Sequence, residues 1–236
     1  MKILLVIMIL LFVASGIFYY NLTGNVVREK SEVFVVRAVD GDTLEIAGGE
    51  KIRLLGVNTP EKGMLGYKEA KEFLKLLENR TAGMESAGAD KYGRILAHVF
   101  IGNEHINEEI LEKGLGSLYY YGQDEYYEKL KIAEEFARMN NLGIWKESKN
   151  KNCISLLELK YVEDGERCTN KEVLKLQNLC DEEISITFKD DATHIYKEKI
   201  NTNTVFFKNF SCIWNDDGDS LFAWDTDGLV LFYRYP

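Results

Sequence analysis

The sequence predicts two folds in succession, a small closed β-barrel carrying packed helices (α+β) and then an all-β sandwich. Three observations predict them. β-branched and aromatic runs separated by Gly turns fill residues 32–57, helical periods arrive only after these strands, and residues 153–236 alternate in short runs with no helical period. With 46% hydrophobic and 12% aromatic residues among 236, the chain has enough apolar side chain to build cores, which excludes disordered and low-complexity classes.

The chain opens on Ile3 to Tyr20, almost wholly apolar behind Lys2, with small residues at Ala14-Ser15-Gly16. Residues 1–23 therefore read as a signal peptide or an uncleaved membrane anchor, with everything after them on the far side of the membrane. The expected location is extracytoplasmic, secreted or tethered by residues 3–20.

Glu32–Val39, Thr43–Ile46 and Lys51–Val57 form a three-stranded meander turned by Asp40-Gly41-Asp42 and Gly48-Gly49. Ala70, Phe73, Leu74 and Leu77 fall at i, i+3, i+4 and i+7, which predicts an amphipathic helix over Tyr67–Asn79. Ile95–Ile101 is a strand, Asn107–Lys113 a short helix, Leu115–Tyr121 extended, and Asp124 caps a helix to Met139. His98 is expected to pack in the barrel and His105 to lie at the surface. The polar stretch 146–152 reads as a linker, dividing a barrel domain at 24–148 from a sandwich at 149–236. Val173–Asn178, Ile184–Phe188 and Ser220–Trp224 are strands of that sandwich.

Net charge is −9, and neither half is basic: residues 24–150 carry 18 Lys+Arg against 22 Asp+Glu, and 151–236 carry 10 against 16. This balance counts against a protein held to nucleic acid by a basic surface alone. The four cysteines, Cys153, Cys168, Cys180 and Cys212, contain no C-x-x-C, so a zinc ribbon is not expected. An even number in an exported chain predicts one or two disulfides, with the pairing open.

Two segments carry chemistry. Asp42 in its turn, the Asn58 amide and the Thr59 carbonyl are hard oxygen donors, a set suited to Ca²⁺. Glu61, close behind, is placed to take a proton from a water. Arg53 presents a planar fork for a phosphate, and Arg94 adds a second guanidinium beside Gly93, next to Lys91 and Tyr92. The acids Asp216, Asp217, Asp219, Asp225 and Asp227 lack the spacing of an EF-hand loop and read as hairpin turns.

Val39-Asp40-Gly41-Asp42-Thr43, Ile52-Arg53-Leu54-Leu55, Asn58-Thr59-Pro60-Glu61, Asp90-Lys91-Tyr92-Gly93-Arg94 and Asn141-Leu142-Gly143-Ile144-Trp145 follow one another in the order of a known family. Over residues 32–146 the chain resembles the staphylococcal (thermonuclease-type) nuclease domain. The resemblance implies an OB-fold barrel and Ca²⁺-dependent hydrolysis of phosphodiester bonds in DNA and/or RNA. It implies a catalytic set of Arg53, Glu61 and Arg94, metal ligands Asp42, Asn58 and Thr59, and substrate contacts by Tyr120, Lys91 and Tyr92. The family's second metal-binding aspartate is replaced here by Asn58, which removes one negative charge from the site. The alternative is a non-catalytic nucleic-acid-binding or surface-attachment module, a class that need not keep Arg53, Glu61 and Arg94 together.

Leu176-Gln177-Asn178, Lys189 through Tyr196 and Asn215 through Gly228 make the second half similar to the lamin-tail domain. That resemblance implies an immunoglobulin-like sandwich that binds or positions a partner it does not name. The whole is expected to be a monomer.

Overall fold

β1 (Ser31–Ala38), β2 (Thr43–Ile46) and β3 (Lys51–Leu54) form the antiparallel meander, with Val35 opposite Ile46 and Thr43 opposite Arg53. The computed structural model describes residues 30–119, 124–162, 169–215 and 218–235. β5 (Thr81–Ala89) pairs with β1, and β6 (Ile95–Ile101) pairs with β5 on one side and parallel to β3 on the other. That parallel pairing, Ile52 to Ile95, closes a five-stranded barrel and leaves no open edge. Val35, Leu44, Ile52, Leu54 and Val99 fill it, and Leu74, Ile110, Leu111 and Leu130 seal it from three helices. These are α1 (Tyr67–Lys75), α2 (Ile106–Glu112) and α3 (Tyr127–Met139).

The third strand of the meander is not continuous. It breaks at Leu55, and Gly56, at φ +77°, redirects the chain into β4 (Gly56–Asn58), which pairs with β8 (Ser117–Tyr119). The Arg53 guanidinium braces the break, with Nη1 donating to the Leu54 carbonyl at 2.9 Å and to the Val57 carbonyl.

Helix bounds shift for identifiable reasons. α1 ends at Lys75 rather than Asn79, because Leu76, Leu77 and Glu78 bond back three residues and Asn79 turns left-handed at φ +60°. Asp124 does not cap α3. Its Oδ1 accepts the Tyr126 N–H at 2.8 Å in a turn ahead of the helix. His105 is buried, not at the surface. It ends the short strand β7 (Glu104–His105) and packs on Phe100 and Tyr126. His98 is buried as expected, its Nδ1 3.1 Å from His105 Nε2 and its Nε2 2.8 Å from Asp124 Oδ2.

The C-terminal part holds two antiparallel sheets. β9 (Ile154–Lys160), β10 (Glu172–Asn178) and β13 (Val205–Phe210) make one, in the order β13-β10-β9. β11 (Ile184–Lys189), β12 (Ile195–Ile200), β14 (Asp219–Trp224) and β15 (Leu229–Tyr235) make the other, in the order β12-β11-β14-β15. Leu174 and Leu176 from the first sheet and Ile186, Phe188, Leu221 and Val230 from the second bury one shared core. Cys153 is disulfide-bonded to Cys180, and Cys212 is also in a disulfide. Cys168 lies outside the described residues.

The polar stretch 146–152 is packed rather than extended into solvent. Leu229 N–H donates to the Lys146 carbonyl at 2.8 Å and Ser148 N–H to the Leu229 carbonyl at 2.9 Å. The approach is so close that a Cβ on Gly228 would stand 2.3 Å from the Lys146 oxygen. Beside it, Ile144 and Trp145 join Phe222, Trp224 and Leu229 in a separate core, and the Trp224 indole N–H donates to the Ile144 carbonyl at 2.8 Å. Barrel and sheets thus belong to one compact unit, Ser31–Pro236. Among the described residues no helix is long and apolar enough to cross a membrane, and the segment 3–20 lies outside them.

Candidate active site

The site grows from the β1–β2 turn. Gly41 is required there because its backbone presses on the 58–61 loop and on α1. A Cβ would meet Thr59 Oγ1 at 2.6 Å and Ala70 Cβ at 2.7 Å. The next residue, Asp42, is 7% exposed, and its Oδ2 accepts from the Thr59 N–H and the Thr59 hydroxyl, both at 3.0 Å. Arg53 Nη2 stands 3.3 Å from the same oxygen, because β2–β3 register places Thr43 opposite Arg53. Oδ1 accepts from the Thr43 hydroxyl at 3.1 Å.

Burial on its own raises the Asp42 carboxyl, but Arg53 and the two Thr59 donors outweigh it and hold the carboxyl below its usual range. Asp40 is pushed the other way, by burial and by the charge of Asp42. Asn58, at the end of β4, is buried and accepts Arg53 Nη2 at Oδ1, 3.3 Å away. Asp42 Oδ2 and Asn58 Oδ1 therefore converge on one cationic nitrogen.

The other half of the Asn58 amide leads out of the barrel. Its Nδ2 donates to the Asp191 carbonyl, in the turn after β11, at 2.6 Å. One residue before that turn, at the end of the strand, Lys189 is 4% exposed. Burial pushes its ammonium down, while Asp190, Asp191, Glu61 and Asp42 act to raise it. Neither Lys189 nor Asp191 was predicted as a site residue. Both lie more than 125 residues beyond Glu61, and only the motif Lys189-Asp190-Asp191 at a strand end marked them.

Glu61 is exposed and its carboxylate takes no hydrogen bond or ion pair among the described residues. Arg94 stands apart from the Asp42 cluster. It is held by Asp90, with Nε donating to Oδ2 at 2.7 Å, in the turn between β5 and β6. Because Arg53 pairs with Leu96, Arg94 sits two positions back along the strand neighbouring Arg53. Tyr92, 73% exposed, lies between two cations, with Lys91 Nζ 5.2 Å and the Arg94 guanidinium 5.5 Å from its ring centre. Tyr120 lies outside the described residues. The structure thus brings together Asp42, Arg53, Asn58 and Thr59, and gathers Lys91, Tyr92 and Arg94 in a second group.

The acidic turns of the C-terminal sheets are structural where they are described. Asp219 accepts from the backbone of Asp191, Asn215 and Ser220, and Asp225 from Ser148, Asn150, Asp227 and Gly228. Among the described residues there is no group of three or more His, Cys, Asp or Glu side chains placed to hold a metal ion.

Residues 51–147 match the family described as staphylococcal nuclease homologue. The chain is 34% identical to the thermonuclease of Staphylococcus hyicus, over 47% of this chain and 73% of that protein. It is 33% identical to the thermonuclease of Staphylococcus intermedius, over 54% of this chain and 86% of that protein. To an uncharacterized endonuclease of Haemophilus influenzae it is also 33% identical, over 50% of this chain and 68% of that one. On the barrel, the site and these matches, the chain belongs to the staphylococcal nuclease family and is a nuclease that hydrolyses phosphodiester bonds.

Proposed function

We propose that the chain is an exported, Ca²⁺-dependent nuclease acting on DNA and/or RNA, with its C-terminal sheets a lamin-tail-like, immunoglobulin-like accessory domain. The observation that carries the reading is the convergence of Asp42, Asn58 and Arg53, with the uncommitted carboxylate of Glu61 one loop away. A free carboxylate beside a buried cationic site is what water activation needs.

The donors fit the ion in type. Asp42 and Asn58 present oxygens that already converge on a positive charge, and the Thr59 carbonyl belongs to the same loop. Asp42, Asn58 and Thr59 would hold Ca²⁺, which when bound neutralises and orients the phosphate. With one carboxylate among the three, the affinity is expected to be modest.

In the reaction Glu61 takes a proton from water as its oxygen attacks phosphorus. The P–O bond to the leaving oxygen breaks as the new one forms. Arg53, rigid because β4 and Asn58 hold it, binds the phosphoryl oxygens as charge builds on them. Arg94 approaches from the neighbouring turn, and Tyr92 with Lys91 supports the adjoining nucleotide by stacking and charge. Tyr120 is assigned to the substrate as well.

Export is supported by the apolar segment 3–20 behind Lys2 and by the Cys153–Cys180 disulfide, which persists in oxidising compartments. The functional boundaries we assign are 24–148 for the nuclease and 149–236 for the accessory domain. Two experiments test this reading. Cutting of single-stranded DNA across a calcium titration should saturate and be abolished by chelator; equal cutting in chelator contradicts the metal assignment. Fractionation should find the protein outside the cytoplasm, and a cytoplasmic pool alone contradicts export.

A further inference from the structure

We propose that the C-terminal sheet is a working part of the nuclease site: through Asp191 and Ser220 it braces the ribbon of β4 and β8 and fixes the Asn58 amide that orients Arg53. Both are positioning residues, and both lie outside the matched region 51–147. The inference rests on the nuclease reading and extends it to the rest of the chain.

The ribbon needs a brace. β4 and β8 are three residues each and pair with one another in a two-stranded sheet separate from that of the barrel. Two strands this short are marginal by themselves. Yet β4 supplies the Val57 carbonyl that receives Arg53 Nη1, and Asn58 Oδ1, which receives Nη2 at 3.3 Å. The Arg53 fork is therefore placed only as well as β4 is placed.

Contacts with the C-terminal sheet reach both strands. On β4, Asn58 Nδ2 donates to the Asp191 carbonyl at 2.6 Å. The turn holding that carbonyl is itself anchored, since the Asp191 N–H donates to Asp219 Oδ1 at 2.9 Å and the Ser220 hydroxyl to Asp191 Oδ2 at 3.0 Å. Ser220 accepts from Arg234 Nε at 2.7 Å, and Arg234 holds Glu134, which accepts the Leu118 N–H of β8 at 2.7 Å. Leu118 pairs with Val57, so the chain of bonds closes across the ribbon it started from. Asn58 and Ser220 are buried, where water does not freely replace a lost partner.

The chemistry of the amide gives this ring a direction. A carbonyl only accepts and a guanidinium only donates. Asn58 meets one of each, so Nδ2 must face Asp191 and Oδ1 must face Arg53. The reversed amide would set oxygen against oxygen and N–H against N–H. The Asp191 carbonyl thus selects the orientation that turns an oxygen to the same Arg53 nitrogen that Asp42 Oδ2 faces at 3.3 Å.

The test uses the full chain and two readouts, cutting of single-stranded DNA in calcium and backbone hydrogen exchange without metal. Asp191→Ala removes the side chain that anchors the turn, and Ser220→Ala removes the donor that holds it. Each should lower kcat about tenfold and change KM less than about twofold, because a displaced Arg53 fails at the charge that builds during reaction. Asp191→Asn, which keeps an acceptor for the Ser220 hydroxyl, should recover most of that loss. In an Asn58→Ala background, Asp191→Ala should cost less than about twofold more, since it acts through the missing amide. Exchange should rise at Gly56–Asn58 and Ser117–Tyr119 and stay unchanged in β1, β2 and β3. Wild-type kcat and wild-type exchange in both alanine variants overturn the inference. So does an undiminished loss in the Asn58→Ala background, the mark of a merely structural role. Faster cutting by Asp191→Ala also overturns it, by making the turn an obstruction. A wild-type chain that cuts nothing counts against the nuclease reading, and exchange then still decides whether the sheet braces the ribbon.

Discussion

Arg234, on the last strand, grips both carboxylate oxygens of Glu134, 100 residues earlier on α3, with Nη1 2.5 Å from Oε2 and Nη2 3.1 Å from Oε1. Glu134 also accepts the Leu118 N–H at 2.7 Å, and Arg234 Nε donates to the Ser220 hydroxyl at 2.7 Å. One ion pair therefore ties together the strand β8, the helix behind it and the C-terminal sheet. Glu134 is 3% exposed, so removing one partner leaves a buried charge uncompensated. Arg234→Met is expected to cost about 3–5 kcal/mol in urea unfolding. Adding Glu134→Leu should recover much of that loss, because the orphaned carboxylate goes with it.

Gly41 sets how closely the Asp42 turn lies on Thr59. Gly41→Ala places a methyl 2.6 Å from Thr59 Oγ1 and 2.7 Å from Ala70 Cβ. Neither neighbour is the end of a long flexible side chain, so the turn must lift. We expect a loss of about 1–3 kcal/mol in thermal unfolding, and a fall in kcat on the order of 100-fold from misplacing Asp42 against Thr59. A variant with wild-type kcat would show that the turn tolerates displacement.

Asp191 predicts how stability varies with pH. Burial, reinforced by the charge of Asp219 and opposed by Arg234, pushes its carboxyl up to about 7. In the unfolded chain it titrates near the ordinary value of about 4. Between those two values the folded state holds a proton that the unfolded state has released, so stability falls as pH rises through this window and levels off above it. Asp191→Asn keeps the carbonyl that receives Asn58 and removes the titration. Its melting temperature should match wild type near pH 4 and exceed it at pH 8.

The Cys153–Cys180 disulfide closes a loop of 27 residues between the entry to β9 and the exit of β10. Cys153→Ala with Cys180→Ala should lower stability by about 2–4 kcal/mol, read from guanidinium unfolding. Cutting by the folded fraction should be unaffected, since the disulfide flanks β9 and β10 whereas Asn58 is bonded to the turn after β11 in the other sheet.

The parts of the fold legible in the sequence were those written by local pattern. β1, β2 and β3 alternate or carry β-branched runs, and α1 repeats every three to four residues, so each was visible within a short window. β5 was not, because six of the nine residues of Thr81–Ala89 are Ala, Gly or Glu, weak strand formers that here pair between β1 and β6. The break at Leu55 was hidden inside a continuous apolar run, and it is what carries Asn58 to Arg53. In the site, Asp42, Arg53, Asn58 and Thr59 were legible because they fall in two short segments. Lys189 and Asp191 were not, since their proximity to Asn58 depends on how the sheets dock through Trp145, Phe222 and Trp224. No local pattern encodes that docking. His105 was misplaced for the same reason, its burial arising from Phe100 and Tyr126 rather than from its neighbours in sequence.

The most direct test of the assigned site is cutting of single-stranded DNA by the full chain in calcium, with Glu61→Ala and Arg53→Ala compared at equal folded concentration. Loss of the base and of the phosphate-binding fork should each lower kcat by about 100-fold or more. Thermal unfolding should show Glu61→Ala, an exposed change, as stable as wild type. Wild-type rates in both variants would contradict the account, and would place the chemistry somewhere other than the Asp42–Arg53–Asn58 cluster.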